Sequence, residues 1–446
     1  RKWVCVKHVN VHSTQSVNSF FCYSRNPAYG RVFLYTNWHS LQGSGTVDRH
    51  YSSTESGMHI VMKINLLLAL MLNFSLIPCL VVAATEEAAL KPLDAAASST
   101  EDTLPLEPLG LVNPPELVLA LELLSGLLEQ RDKIDESINE QSYRWMMDRF
   151  LVGSLEQGFF NVIEDYYNLI RDLPIYSPSG RLLQSLLYDG VDNMRYPQRV
   201  EDWAKLFERM ELWQQRYPDS EIAPVVYAML LEQRAWTYRG TGPASSIPRA
   251  RMTKFKEYIG KADAMLERYK TLALKNPQWY AVKLNLLRYQ GKASPAQLAP
   301  IANSALKLFP DYDRLHFNLV LTQLPSWGGN AERIDEMIAL ALSYQTDEQD
   351  KLVLYTRMYW IARSNYYGGD FFKETLVDWH KMRQGFQLIT AEYPDDWNLN
   401  HFAATACLAD DLTTMFGLLP RMKRYYRAAW FGSDAFHQRC VELSKV

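Results

Sequence analysis

Two prolines lie 33 residues apart, and each opens an aromatic stretch with the spacing of a helix. Pro277 belongs to the segment 276–280 (NPQWY), and Pro310 belongs to 309–313 (FPDYD). A return period of about 33 to 34 residues is typical of helix-turn-helix repeats. Neighbouring repeats stack on one another, because a single helix pair cannot bury its apolar face alone. The spacing therefore predicts an array of stacked helix pairs.

Beyond residue 217 the chain keeps apolar residues at helical spacing, with glycine or proline at the breaks. Predicted helices cover 221–239, 250–274, 278–290, 295–308, 311–323, 331–343, 348–366, 370–392, 398–409, 411–427 and 433–444. We expect no strand, because runs that alternate apolar and polar residues are missing. The predicted fold class is therefore all-α.

The repeat itself is degenerate. Ala305 supplies the small residue that allows close helix packing in tetratricopeptide repeats, but the equivalent positions hold Leu272, Ile389 and Trp213. We predict a degenerate helix-turn-helix repeat array, a tetratricopeptide-like α-solenoid. The alternative is a non-repetitive all-α domain.

The first 84 residues divide into two segments that precede the predicted folded part. Residues 1–57 show no sustained period and are predicted to be unstructured, upstream of the true start. Residues 58–84 combine one positive charge, the apolar run 64–82 and small residues at the end, which are the parts of a secretory signal peptide. Because such a signal is read at the N-terminus, Met58 or Met62 is the predicted start.

An uncleaved anchor is the alternative for the apolar run. Residues 64–82 are just long enough to cross a bilayer. Their polar interruptions and small-residue end favour cleavage. We therefore expect a periplasmic or secreted protein with no membrane span in its mature form; in the alternative, 64–82 anchors the protein in the inner membrane.

The charge balance becomes acidic once the predicted signal is removed. The whole chain carries a formal net charge of −3, with +4 in residues 1–57 and +1 in 58–84, which leaves −8 for residues 85–446. An acidic domain has the wrong sign for a general nucleic-acid binder. We therefore expect no nucleic-acid partner.

Cleavage also reduces the five cysteines to two. Cys407 and Cys440 remain after residue 84. Two cysteines in an oxidising compartment predict one disulfide, which would staple the C-terminal helix to the last repeat. Closing a loop of this length is worth ~3.8 kcal/mol of stability on chain-entropy grounds. The alternative is a pair of buried free thiols.

The segment after the predicted cleavage site has three parts. Residues 85–113 are rich in Ala, Ser, Thr, Glu and Pro and read as a flexible leader. Residues 114–216 form an N-terminal helical region, with predicted helices at 116–127, 137–151, 155–172, 181–187 and 199–216. Residues 217–446 form the repeat domain.

We find no catalytic or metal-binding motif in the sequence. The four histidines after residue 84 have no i, i+4 pair with a glutamate between them, so the zinc-protease helix is missing. Asp378, His380 and His401 would have to gather in the fold to bind a metal, and surface or packing roles are the preferred interpretation. Glu136 is the one candidate for a lytic acid and is interpreted as an exposed helix residue.

Glycine-rich nucleotide signatures are missing as well. The segment 240–242 (GTG) follows a predicted helix, so it is interpreted as an interhelical turn. We therefore expect no catalytic residue, no metal and no cofactor.

Aromatic and arginine side chains at predicted helix ends are the candidates for a partner-binding surface. Trp and Tyr suit such surfaces because an apolar face adjoins a polar rim, and arginine can meet an acidic peptide. The alternative is that the rings pack helix against helix and the arginines are solvated. The candidates are Trp327, Tyr366, Tyr367, Tyr289, Arg239, Arg288 and Arg363.

Short motifs in a fixed order carry a family resemblance over residues 217–440. They are 217–220 (YPDS), 235–240 (AWTYRG), 277–280 (PQWY), 310–312 (PDY), 327–329 (WGG), 393–394 (YP), 400–403 (NHFA), 406–411 (ACLADD) and 430–432 (WFG). In these the chain resembles the domain of unknown function 4034 family of bacterial proteins. The resemblance implies an α-helical, repeat-like fold with Cys407 paired to Cys440, and no catalytic residue.

These features together predict an exported helical-repeat protein that binds another protein or a peptide. One alternative is an unrecognised enzyme that acts on envelope glycans or lipids. Another is a structural envelope protein with neither groove nor pocket.

Overall fold

The computed structural model describes residues 112, 116–121, 124, 139–172, 175–194, 197 and 199–443, and the backbone of 3–10, 15–24 and 32–40. The chain divides into two compact units, Arg1–Ala96 and Ala97–Val446. The predicted signal peptide (58–84), the predicted leader (85–113) apart from Val112, and Glu136 lie outside the described residues.

The first unit contains an antiparallel sheet. Its strands are β1 (Trp3–Asn10), β2 (Gln15–Ser24) and β3 (Val32–Ser40), in the order β1-β2-β3. The expectation of no strand concerned the chain after residue 84, so this sheet does not contradict it. The expectation of an unstructured 1–57 is corrected for these ranges. Their β-branched and aromatic residues suit extended backbone, while interspersed polar residues disrupt the strict alternation that predicts a half-buried strand.

The second unit begins with a helical segment at 116–121 and continues as a series of α-helices. The helices before the repeat region are α1 (Glu140–Gln157), α2 (Phe160–Asp172), α3 (Leu183–Asn193) and α4 (Val200–Arg216). Those that follow are α5 (Ala223–Arg239), α6 (Arg249–Arg268), α7 (Lys270–Ala273), α8 (Pro277–Tyr289), α9 (Pro295–Leu308), α10 (Asp313–Thr322), α11 (Ala331–Leu342), α12 (Glu348–Ala362), α13 (Phe371–Glu374), α14 (Trp379–Glu392), α15 (Asp396–Leu408), α16 (Leu412–Leu418) and α17 (Asp434–Glu442).

Helix boundaries in the repeat region follow from local capping chemistry. Pro277 occupies the first turn of α8, and the Asn276 side chain accepts a hydrogen bond from the Gln278 amide. Ser294 opens α9 with a capping box closed by Gln297. These helices begin and end within a residue of their predicted positions, because the signals are local.

The all-α prediction is confirmed for the part of the second unit that the structure describes. The first helices of successive pairs, α5, α8, α10 and α12, contact one another in chain order. This packing agrees with a repeat-like arrangement, and the solenoid itself stays a prediction.

Two long predicted helices are interrupted. The helix expected at 370–392 is split into α13 and α14, because Asp378 accepts backbone hydrogen bonds from His380 and Lys381 and so starts a new helix. The helix expected at 411–427 ends at Leu418, before a 3₁₀ turn that contains Pro420.

A buried charge network joins the N-terminal helices to the repeat region. Arg181 pairs with Asp189 on α3 (Nη1–Oδ2, 3.0 Å) and with Asp313 on α10 (Nε–Oδ2, 2.8 Å). Arg314 on α10 pairs with Asp189 (Nη1–Oδ1, 2.6 Å) and with Asp192. Both arginines are 8% exposed. Helices from the predicted regions 114–216 and 217–446 therefore share one compact unit.

The turn before α3 is held by helices that follow much later in the chain. Arg357 on α12 donates to the Ser179 carbonyl (2.8 Å), as does Asn398 on α15 (3.2 Å). The Ser179 amide donates to Glu140 on α1 (3.2 Å). This turn therefore covers part of the surface of α12 and of α15.

A disulfide ties the C-terminal helix to α15. Cys407 and Cys440 are bonded, with their Cα atoms 6.0 Å apart, and both are buried. The pairing places the crosslink between α15 and α17, where the sequence predicted the staple.

Gly385 permits the close approach of α14 to α12. A Cβ at this position would collide with the Thr356 hydroxyl and the Leu352 carbonyl. We predict that Gly385→Ala lowers the free energy of unfolding by about 1–3 kcal/mol, because the tight contact must open. Gly260→Ala on α6 is the matched control, since nothing lies within 4 Å of its Cβ, and it should stabilise by ~0.5–1 kcal/mol. Urea denaturation measures the free energy of unfolding of both variants. An equal change in that free energy for Gly385→Ala and Gly260→Ala would contradict the close contact at Gly385.

Removal of one partner from the charge network should be costly. We predict that Arg314→Met lowers the free energy of unfolding by about 3–5 kcal/mol, since Asp189 and Asp192 lose a compensating charge. Arg268→Met, on an exposed position of α6, should change stability by less than about 0.5 kcal/mol. A loss below about 1 kcal/mol for Arg314→Met in chemical denaturation would show that the network does not join the two regions.

Candidate functional site

Four of the seven predicted partner-binding residues meet at one place. Arg239 at the end of α5, Arg288 and Tyr289 at the end of α8, and Trp327 in the turn after α10 gather around two further rings. We call this group the aromatic–arginine cluster; its members are Trp236, Arg239, Phe255, Arg288, Tyr289 and Trp327.

Helix termination places these side chains side by side. Gly240 follows α5 with φ 71°, and Gly328 follows the 3₁₀ turn Pro325–Trp327 with φ 81°. Both conformations favour glycine, so each helical stretch stops directly after its cluster residue. The guanidinium groups of Arg239 and Arg288 lie in the last turns of α5 and α8, where the helix dipole favours positive charge.

The rings form a continuous edge-to-face set. Trp236 is central, with its ring centroid 5.4 Å from Tyr289, 5.5 Å from Phe255 and 6.2 Å from Trp327. Tyr289 and Trp327 are 5.3 Å apart. Trp236, Tyr289 and Trp327 are half-buried and Phe255 is buried. The exposed parts of three large rings thus form one aromatic surface supported from beneath.

Both cluster arginines stack on these rings. The Arg239 guanidinium lies 4.9 Å from the Trp236 centroid, and that of Arg288 lies 4.7 Å from Tyr289 and 5.0 Å from Trp327. Arg239 donates to the carbonyls of the 240–242 turn, and Arg288 donates to the Tyr289 hydroxyl (2.7 Å). Stacking holds the guanidiniums flat and leaves them able to pair with an anionic group.

Neither arginine has a salt bridge to a described residue, and the buried Arg288 Nε has no hydrogen-bond partner among them. Beside the cluster lies Glu232, which accepts a hydrogen bond from the Tyr289 hydroxyl (3.0 Å). Burial and the neighbouring Asp192 raise the pKa of Glu232 to about 7. Glu232 is therefore partly protonated near neutral pH and compensates the guanidiniums incompletely.

The other three predicted partner-binding residues lie in the π-helical turn after α12. Tyr366 is exposed and its ring contacts that of Tyr367 (5.0 Å), but Tyr367 is buried. Arg363 is only 1% exposed. Arg363 and Tyr367 are therefore corrected from surface to interior residues, because the turn folds them under α12 instead of ending the helix at the surface.

The possible metal ligands do not come together. Asp378 caps α14 beside the exposed His380, whereas His401 is buried on α15. Within the described residues no group of three or more His, Cys, Asp or Glu side chains could hold a metal ion.

Trp236 and Phe255 of the cluster, and Glu232 beside it, are residues that the sequence analysis did not select as partner-binding. Glu232, Trp236 and Arg239 follow i, i+4, i+7 spacing and so share one helix face, which is a detectable signal. Phe255 reads only as an ordinary apolar position of α6.

The raised pKa of Glu232 makes stability depend on pH. From about pH 4.5, the ordinary value, to about pH 7, the unfolded carboxyl loses its proton while the folded one keeps it. Wild-type stability therefore falls as pH rises through this window. We predict that Glu232→Gln becomes more stable relative to the wild type as the pH rises through this window. The difference in the free energy of unfolding should reach at most about 3 kcal/mol at pH 8.

The readout is the difference in unfolding free energy between variant and wild type at pH 5 and pH 8. Glu208→Gln, an exposed change on α4 with the same formal charge effect, is the control and should show a smaller pH dependence. An identical pH dependence for both variants would show that the negative charge of Glu232 does not destabilise the folded state.

No protein-family model matches the sequence, and neither does any curated protein or solved structure. The resemblance to the domain of unknown function 4034 family stays a prediction. Of the helices whose residues are described, none combines the length and apolarity needed to cross a bilayer.

Proposed function

We propose that this protein is an interaction module whose aromatic–arginine cluster binds an acidic segment of a partner protein. The observation that carries the proposal is the meeting of Arg239, Arg288, Tyr289 and Trp327 around Trp236. Tryptophan, tyrosine and arginine are the residues that most often dominate the binding energy of protein interfaces.

Charge supports an acidic ligand. Two guanidiniums share the cluster with one carboxyl group, whose pKa of about 7 leaves it partly neutral. A carboxylate from a partner could pair with the guanidinium groups of Arg239 and Arg288, neither of which has a salt bridge to a described residue. Such charge-assisted hydrogen bonds are stronger than neutral ones, and planar guanidinium groups can bind carboxylates in a bidentate way.

The placement of the cluster also supports the proposal. The turn 177–181 already covers parts of α10, α12 and α15. The cluster lies instead at the ends of α5 and α8 and in the turn after α10, where Trp236, Arg239, Arg288, Tyr289 and Trp327 are only half-buried. Partner binding there would not require the charge network to open.

An exported location is part of the same proposal. The predicted signal peptide at 58–84 supports it, and so does the disulfide between Cys407 and Cys440, since structural disulfides persist in oxidising compartments.

Fluorescence anisotropy with labelled peptides tests the binding. The probes are two 12-residue peptides of equal aromatic content, one rich in Asp and Glu and the other rich in Lys. We predict that the acidic peptide binds the wild-type chain at least tenfold more tightly, and that Trp327→Ala or Arg288→Met weakens its binding at least tenfold. Binding should also weaken between pH 6 and pH 8, as Glu232 becomes charged.

Arg268→Met is the matched control. Arg268 also stacks on a tyrosine, Tyr269 (5.3 Å), but outside the cluster, so this variant should bind the acidic peptide as the wild type does. Circular dichroism establishes that each variant is folded. Equal binding of both peptides, or an equal loss in Arg268→Met and Arg288→Met, would overturn the proposal.

A further inference from the structure

Arg363 is a buried cation with no counter-ion among the residues that the structure describes. Its side chain is 1% exposed, and Nη2 is hydrogen-bonded to Nδ1 of His401 (2.8 Å). Nε and Nη1 are buried and have no hydrogen-bond partner among the described residues. By contrast, the buried Arg314 pairs with two aspartates.

His401 adds another donor to the same place. Arginine can only donate, so Nδ1 of His401 is the acceptor and the ring proton resides on Nε2. Nε2 is buried, and it also has no partner among the described residues. The pair therefore presents three N–H positions, Nε and Nη1 of Arg363 and Nε2 of His401, for which the described residues supply no acceptor.

Aromatic rings enclose Arg363 and His401 and shield them from water. The Arg363 guanidinium lies 4.9 Å from the Phe431 ring centroid, and the His401 ring lies 4.3 Å from Trp360 and 4.8 Å from Trp397. Burial lowers the pKa of Arg363 to about 9 and holds that of His401 well below its ordinary value. Among the described residues, the charges that act on His401 are those of the cations Arg363 and Arg144.

An isolated buried charge is strongly unfavourable, because desolvation is not repaid by an opposite charge. Buried N–H groups in folded proteins nearly always have an acceptor. A cluster that consists of donors alone, with a permanent positive charge and no carboxylate, has the chemistry of an anion-binding site.

We propose that Arg363 and His401 form an internal site for one small anion, of the size of chloride or formate. The enclosure by Trp360, Trp397 and Phe431 limits the ligand to a few atoms, and the single guanidinium suits a single negative charge. The neutral His401 contributes an N–H donor through Nε2. The bound anion locks the turn after α12 onto α15, and this site is independent of the aromatic–arginine cluster.

Thermal unfolding of the full chain tests the proposal at constant ionic strength. The salts are sodium bromide, sodium formate and sodium gluconate, whose anion is too large for the site. We expect bromide and formate at 100 mM to raise the wild-type melting temperature by about 5 °C relative to gluconate, because a ligand that binds only the folded state stabilises it.

Arg363→Met removes the charge and keeps an apolar side chain of similar length. This variant should fold, and its melting temperature should no longer depend on the anion, because no unpaired cation remains. Arg268→Met, which removes an exposed arginine of α6 outside both proposed sites, is the control and should retain the full anion dependence. An equal anion dependence in wild type and Arg363→Met would overturn the proposal.

Crystals of the wild-type chain grown in bromide give an independent measurement that does not rely on the variant. We expect an anomalous peak within about 3.5 Å of Nη1 or Nε of Arg363. Ordered water at those atoms, with no anomalous signal, would overturn the proposal even if Arg363→Met failed to fold.

Discussion

The buried pairing of Arg181 and Arg314 with aspartates of α3 and α10 is the contact on which the helical unit depends. It joins side chains that are more than 120 residues apart in the chain. Charges in a low-dielectric interior are tolerated only when they are closely matched, so this network fixes α3 against α10 in one register. The turn at 177–181 thereby packs on α12 and α15, and the proposed partner-binding surface lies elsewhere.

Three arginines show how surroundings set the role of one side chain. Arg314 is compensated by aspartates and is structural. Arg288 is stacked on rings, half-buried and short of an acceptor, which suits a surface that receives an acidic partner. Arg363 is enclosed, and no described residue supplies it with an opposite charge, which suits a small anion. Burial and the supply of carboxylates distinguish the three cases, since the guanidinium itself is always a donor.

Sequence patterns predicted the helices of the repeat region well where proline, capping residues and glycine mark both ends, as in α8 and α9. They failed where a cap lies inside a continuous apolar pattern, as Asp378 does between α13 and α14. Among the candidate site residues, Tyr289 and Trp327 were found because aromatic residues stand at helix ends. Tyr367 was misjudged because a π-helical turn carried it inward beyond the apparent end of α12.

The sequence by itself determined the all-α character of the second unit, the positions of most helix ends and the two cysteines that pair. These depend on hydrogen bonds and side chains within a few residues, so a local pattern contains the necessary information. Only the tertiary structure decided that the ends of α5 and α8 meet at Trp327, and that Arg363 is buried against His401. Those outcomes depend on how distant helices stack and where distant charges are matched, which no local pattern encodes.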